Sequence, residues 1–171
     1  MHWGEEYWVR PTKHQQELAQ AICEAGADVI LGHHPHTLQP IQWLTVGDRT
    51  CLVAFSLGNF VSNMSANYTE RSALSAGDAR DSVILQIVFR RNAHPVASVV
   101  PLWMVNDRTY RGPVPLEILC RSEFENANTH YPFTSTFLLA RTRYARISSI
   151  IGEETAGLSP LQFCVAASIS A

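Results

Sequence analysis

Apolar positions recur at helical spacing early in the chain. From His14 to Ala25, Leu18, Ala21, Ile22 and Ala25 form one stripe along a run of strong helix formers. Thr12 stands in front as an N-cap, preceded by Pro11, and Gly26 follows as a stop. The short apolar run Asp28–Leu31 comes next and reads as a buried parallel strand. Two further strands, Leu38–Leu44 and Thr50–Ser56, flank Thr45–Arg49, whose Gly47-Asp48 pair predicts a hairpin turn. Ser82–Phe89 has the strongest strand pattern in the chain. Val96–Met104 is its expected antiparallel partner across the turn Asn92–Pro95. Between these groups, Ser62–Asp81 is polar and without period, and reads as a long loop. Phe137–Ile151 predicts another helix, although its mixture of leucine, arginine and isoleucine leaves the buried face undefined. A helix, a buried strand and then antiparallel strands imply a layered α/β body.

Composition narrows the picture. The chain has 171 residues, 46% of them hydrophobic, which suits one domain with a real core. A formal net charge of −2 carries no electrostatic footprint for nucleic acid. The late arginines Arg141, Arg143 and Arg146 read as the solvated face of a helix. Cys23, Cys51, Cys120 and Cys164 are far apart with no Cys-x-x-Cys pair. A cysteine zinc site is thereby excluded, and buried free thiols are expected rather than a disulfide framework. No apolar run is long enough to cross a bilayer, and residues 1–6 do not read as a secretory signal.

The densest chemistry lies at Gly32-His33-His34-Pro35-His36, with three histidines in four residues after a glycine-ended strand. Pro35 removes a backbone donor and restrains His34 to an extended conformation, so these rings sit on a stiff loop. In α/β sheets such strand ends gather ligands. Neutral imidazole suits zinc, iron, manganese and similar ions, and the clustering points to metal. The alternative is a turn of hydrogen-bonded surface histidines. No nucleophile elbow, phosphate-binding glycine loop or dinucleotide fingerprint occurs.

Three blocks carry a resemblance: residues 2–7 (His-Trp-Gly-Glu-Glu-Tyr), residues 26–40 around Gly-His-His-Pro-His, and residues 55–60 (Phe-Ser-Leu-Gly-Asn-Phe). Together they resemble the bacterial capsule-synthesis, CapA-like family, which includes poly-γ-glutamate accessory proteins and is similar to the calcineurin-like metallophosphoesterases. The resemblance covers about residues 1–105. It implies a partial calcineurin-like layered α/β fold, a mixed sheet with flanking helices, whose N-terminal half is missing. Residues 1–120 would be the C-terminal part of that domain and residues 121–171 a C-terminal extension. The chain is thus expected to be the C-terminal part of a longer protein.

By the same resemblance His2, His33 and His36 are metal ligands, and His34, at the position the family varies, and Asn59 are catalytic. Glu6 and Ser56 are substrate-binding. Asn63 stands where the family commonly has an acidic residue. The implied cofactor is a divalent ion, Mn, Fe or Zn. The implied activity is phosphoester hydrolysis by metal-activated water, or work on an anionic envelope polymer, with capsule-synthesis proteins as partners. A two-metal site needs bridging carboxylates to hold its ions about 3.5–4 Å apart, and this chain supplies neutral histidines only. The fragment alone is therefore expected to be inactive. The other readings are a non-catalytic polymer-binding or assembly component and an inactive fragment. The parent would face the cell envelope or, alternatively, the cytoplasm.

Overall fold

The computed structural model describes residues 1–64, 77–91, 93–105, 114–117, 134–152 and 159–160. The first helix, α1, spans Lys13–Glu24 behind the N-cap Thr12. Thr12 and Gln15 form a reciprocal capping box: the Gln15 N–H donates to Oγ1 of Thr12, and the Thr12 N–H to Oε1 of Gln15. The side chains of Gln15, Ala19 and Cys23 are buried, with Leu18 and Ile22 packed beside them. The inward face is therefore rotated from the expected Leu18–Ala21–Ile22–Ala25 stripe, and Ala21 and Ala25 are exposed. A buried glutamine and a buried cysteine define that face, and hydrophobic pattern alone does not mark either.

Strand β1 (Val29–Leu31) pairs in parallel with β3 (Arg49–Ala54), which pairs antiparallel with β2 (Ile41–Val46) in the order β1-β3-β2. The β2–β3 hairpin turns at Gly47-Asp48, where Gly47 has φ 61°, a conformation glycine adopts without a Cβ penalty. The parallel pairing of β1 agrees with its pattern, but its burial does not. β1 lies at the sheet edge and Leu31 is exposed. The second sheet joins β4 (Asp81–Arg90), β5 (Ala93–Val105) and β6 (Val114–Glu117) in order, with β7 (Ser159–Pro160) parallel to β5. α2 spans Thr134–Ile151. The fold is mixed α/β, two sheets with flanking helices.

β3 is the shared wall. Because successive strand side chains point to opposite faces, Cys51, Val53 and Phe55 pack with Ala19, Cys23, Ile30 and Trp3 on the α1 side. Leu52 and Ala54 face Val83, Ala97, Val99 and Trp103 of the second sheet, and Ile147, Ile150 and Ile151 of α2 join that core. β4 leaves Ile84, Val88 and Phe89 exposed, with Val96 beside them on β5.

Two expectations are corrected. Cys23 and Cys51 are not free thiols: they form a disulfide between α1 and β3 with Cα atoms 5.8 Å apart. Cys120 and Cys164 lie outside the described residues, as does Arg141 apart from its helical backbone. The arginines of α2 are not a solvated face either. Arg143 is buried and donates through Nε to Oδ1 of Asp81 at 2.9 Å and through Nη2 to Oδ1 of Asp78 at 2.6 Å, with a further Nη2 contact to Asp81. Arg146 donates to both oxygens of Asp78. Burial pushes the Asp81 carboxyl up to about 7 against the pull of Arg143's hydrogen bonds and charge. Burial acts downward on Arg143, yet the hydrogen bonds and charges of Asp81 and Asp78 raise it above its ordinary value.

Candidate functional site

Three backbone segments are woven together where β1 and β3 end. His2 forms a parallel bridge with His33: the Trp3 N–H donates to the His33 carbonyl at 3.1 Å and the His33 N–H to that of Met1 at 2.8 Å. Residues 1–3 therefore extend the sheet beside the end of β1. On the other side, the Gly32 N–H donates to the Ala54 carbonyl at 2.7 Å and the Leu57 N–H to that of Gly32 at 3.3 Å. Trp3 is buried and donates its indole N–H to the Phe55 carbonyl at 2.8 Å, passing directly over Gly32. A Cβ at Gly32 would stand 2.0 Å from that carbonyl oxygen and 2.5 Å from the indole nitrogen, so only glycine fits. Gly32→Ala is expected to cost about 3 kcal/mol through overpacking against backbone. A lower denaturant midpoint together with red-shifted Trp3 emission would show it, and an unchanged midpoint would refute the packing described.

The histidine loop leaves this weave in unusual conformations. His34 has φ 103°, not the extended conformation expected before Pro35, and His36 has φ 59°, both on the left-handed side that L side chains rarely adopt. Tyr7, at φ 67°, donates its N–H to the Pro35 carbonyl at 2.6 Å and so ties the first segment to the loop. Strain of this kind persists only where surrounding contacts over-determine it, and it concentrates at functional sites. The contacts here are specific. The buried Thr37 hydroxyl and the Gln39 amide both donate to the Trp8 carbonyl at 2.9 Å, and Gln15 donates to Gln39 at 2.9 Å. The sequence reading missed this polar clamp. Its one visible signal was Gln15 three residues after Thr12, the capping-box spacing.

The rings of His2 and His34 lie 4.3 Å apart by centroid, and those of His34 and His36 6.3 Å apart. His34 thus neighbours both His2 and His36, while His33 is the register partner of His2. Burial lowers the His33 pKa below the usual imidazole value, helped by the Met1 amino group and by His2. That shift favours the neutral ring, the form a metal ligand or proton acceptor requires. Tyr7 stacks beside His36 at 6.3 Å. Glu6 is exposed at the turn. Ser56 is buried, and its hydroxyl accepts the Gly58 N–H at 3.3 Å.

Asn59 is the most tightly held of these groups. Its Nδ2 donates to the carbonyls of His36 (3.1 Å) and Ala79 (3.0 Å) and contacts Sδ of Met64, while Oδ1 lies 3.0 Å from Nδ1 of His36. Two carbonyl acceptors fix which end of the amide is NH₂, so Oδ1 must accept and Nδ1 of His36 must donate. His36 then carries its lone pair on Nε2, and a second group fixing one ring nitrogen is the arrangement found for ligating histidines.

The donor chemistry suits a borderline divalent ion, but the count does not close a centre. Among the described residues no group of three or more His, Cys, Asp or Glu side chains is arranged to hold a metal ion. Asn63 is described but adds no carboxylate. These residues form one candidate wall of histidines and Asn59.

The wall lies in a recognisable family segment. Residues 1–64 match the family model described as bacterial capsule synthesis protein PGA_cap. Among relatives, the capsule biosynthesis protein CapA of Bacillus anthracis is 40% identical over 101 residues, 59% of this chain and 21% of that protein. The PGA biosynthesis protein CapA of Bacillus subtilis (strain 168) is 39% identical over 101 residues, 59% of this chain and 23% of the relative. The chain thus spans about a fifth of the length of the curated relatives it matches.

Proposed function

We propose that this chain belongs to the machinery that makes or exports an anionic capsule polymer of the poly-γ-glutamate class. In this reading its histidine wall is half of a working site completed in a longer protein. The observation that carries the proposal is the weave of residues 1–8, 32–39 and 56–60, which gathers His2, His33, His34, His36 and Asn59 inside the CapA-like segment. The names of the two relatives supply the polymer. The Cys23–Cys51 disulfide supports an oxidising, envelope-facing location, because structural disulfides persist outside the reducing cytosol.

The finer proposal is a calcineurin-like, metal-dependent phosphoesterase. His2, His33 and His36 would be ligands to Mn, Fe or Zn alongside groups from elsewhere in the longer protein. His34 and Asn59 would line the reacting centre, with Glu6 and Ser56 toward substrate. Zinc or manganese titrated into the chain should bind at least about tenfold more weakly after His33→Ala/His36→Ala, the scale of lost ligand-shell groups. Equal affinity and stoichiometry in the double variant would remove the ligand assignment.

A second reading is a polymer-binding or assembly component without turnover, which a longer protein lacking the remaining metal ligands would favour. Poly-γ-glutamate retained by the protein in excess EDTA, with no phosphodiesterase activity in the metal-loaded longer protein, would select it.

A further inference from the structure

The ion network under α2 and the histidine wall meet at one peptide. Asp78 and Asp81 flank the 3-10 turn Asp78–Arg80, and both carboxylates are held by Arg143. Inside that turn is Ala79, fully buried, whose carbonyl accepts from Nδ2 of Asn59 at 3.0 Å. Asn59 in turn faces Nδ1 of His36. The turn cannot shift freely toward the site. Gly58 already touches it so closely that a Cβ there would lie 2.2 Å from the Asp81 carbonyl oxygen. Gly58 also bridges to Ser82.

We propose that Arg143 is a positioning residue for the histidine wall: through Asp78 and Asp81 it fixes the Ala79 carbonyl, which orients Asn59 and thereby sets the Nδ1–H tautomer of His36. The guanidinium suits this task because its planar fork reaches both carboxylates at once, whereas a lysine ammonium is a point charge on a flexible stem. Arg143 lies some 80 residues beyond the family-matched segment, so the device joins α2 to a site built from the first 64 residues. Its consequence for turnover rests on the proposed reading of His36 as a working ring, but the chain of hydrogen bonds does not.

The test is long-range proton–nitrogen NMR of the histidine rings in the full chain without metal, recorded at about pH 9, well above the ordinary imidazole value. The native protein should show His36 as a single Nδ1–H tautomer. In folded Arg143→Lys the ratio of the two His36 tautomers should fall about fivefold, the scale of one neutral hydrogen bond, while the His14 tautomers stay as they are. Asn59→Ala should produce the same change directly. A folded Arg143→Lys protein whose His36 keeps the native ratio overturns the proposal. If that variant does not fold, Asp81→Asn, which removes the charge that Arg143 grips beside the Ala79 peptide and keeps the side-chain shape, is read by the same criterion. Because the readout needs neither metal nor substrate, its failure is distinct from failure of the phosphoesterase reading.

Discussion

Arg143→Met lowers the stability of the folded chain by about 3–5 kcal/mol, the usual cost of removing one member of a buried ion pair and leaving the other uncompensated. Here Asp81 is stranded and Asp78 keeps only Arg146. The Asp78 and Asp81 side chains are 1% and 0% exposed, so water cannot replace the lost donors. Arg146 still reaches Asp78 but makes no bond to Asp81. For a chain of this size the loss corresponds to roughly 10 °C in melting temperature. Differential scanning calorimetry of the single variant checks the number. A triple variant, Arg143→Met with Asp78→Asn and Asp81→Asn, checks the cause, because it should recover part of the loss. A single variant that melts within about 2 °C of the native chain would mean the network carries little stability.

Breaking the disulfide is expected to have the next largest effect. Cys23 and Cys51 are 28 residues apart in sequence, and closing a loop of that size removes chain entropy from the unfolded state worth about 3.5 kcal/mol. Both cysteines lie in the core between α1 and β3, at 0% and 1% exposure, so paired replacement by alanine adds a small packing loss. Chemical denaturation of the Cys23→Ala/Cys51→Ala chain against the oxidised native chain measures it. Equal midpoints would show that the thiols are reduced in solution.

Local signals in the sequence located the elements well. Thr12 and Gly26 bracketed α1, Gly47-Asp48 marked the hairpin, and the apolar runs at residues 82–89 and 96–104 marked β4 and β5. Family blocks located the histidine loop and Asn59. What escaped were pairings between distant residues. Arg143 looks like a solvated arginine until Asp81, 62 residues upstream, is seen beside it. Gln15 looks like a surface position until its amide meets Gln39. Cysteine spacing gives no hint that α1 lies against β3. The ring order at the site was also hidden, because positive φ at His34 and His36 is a product of the weave around them and not of the loop's own residues.

The bond between Cys23 and Cys51 has one more effect. Its closed ring of chain includes Gly32, all three loop histidines and the whole of β2. When the sheets melt, these histidines therefore remain on a short circular tether and cannot disperse along an open coil. A protease cut after Arg49, within the ring, would likewise leave the two pieces as one covalent molecule until a reductant is added. The part of the chain richest in chemistry is thus the part that unfolding and nicking separate least.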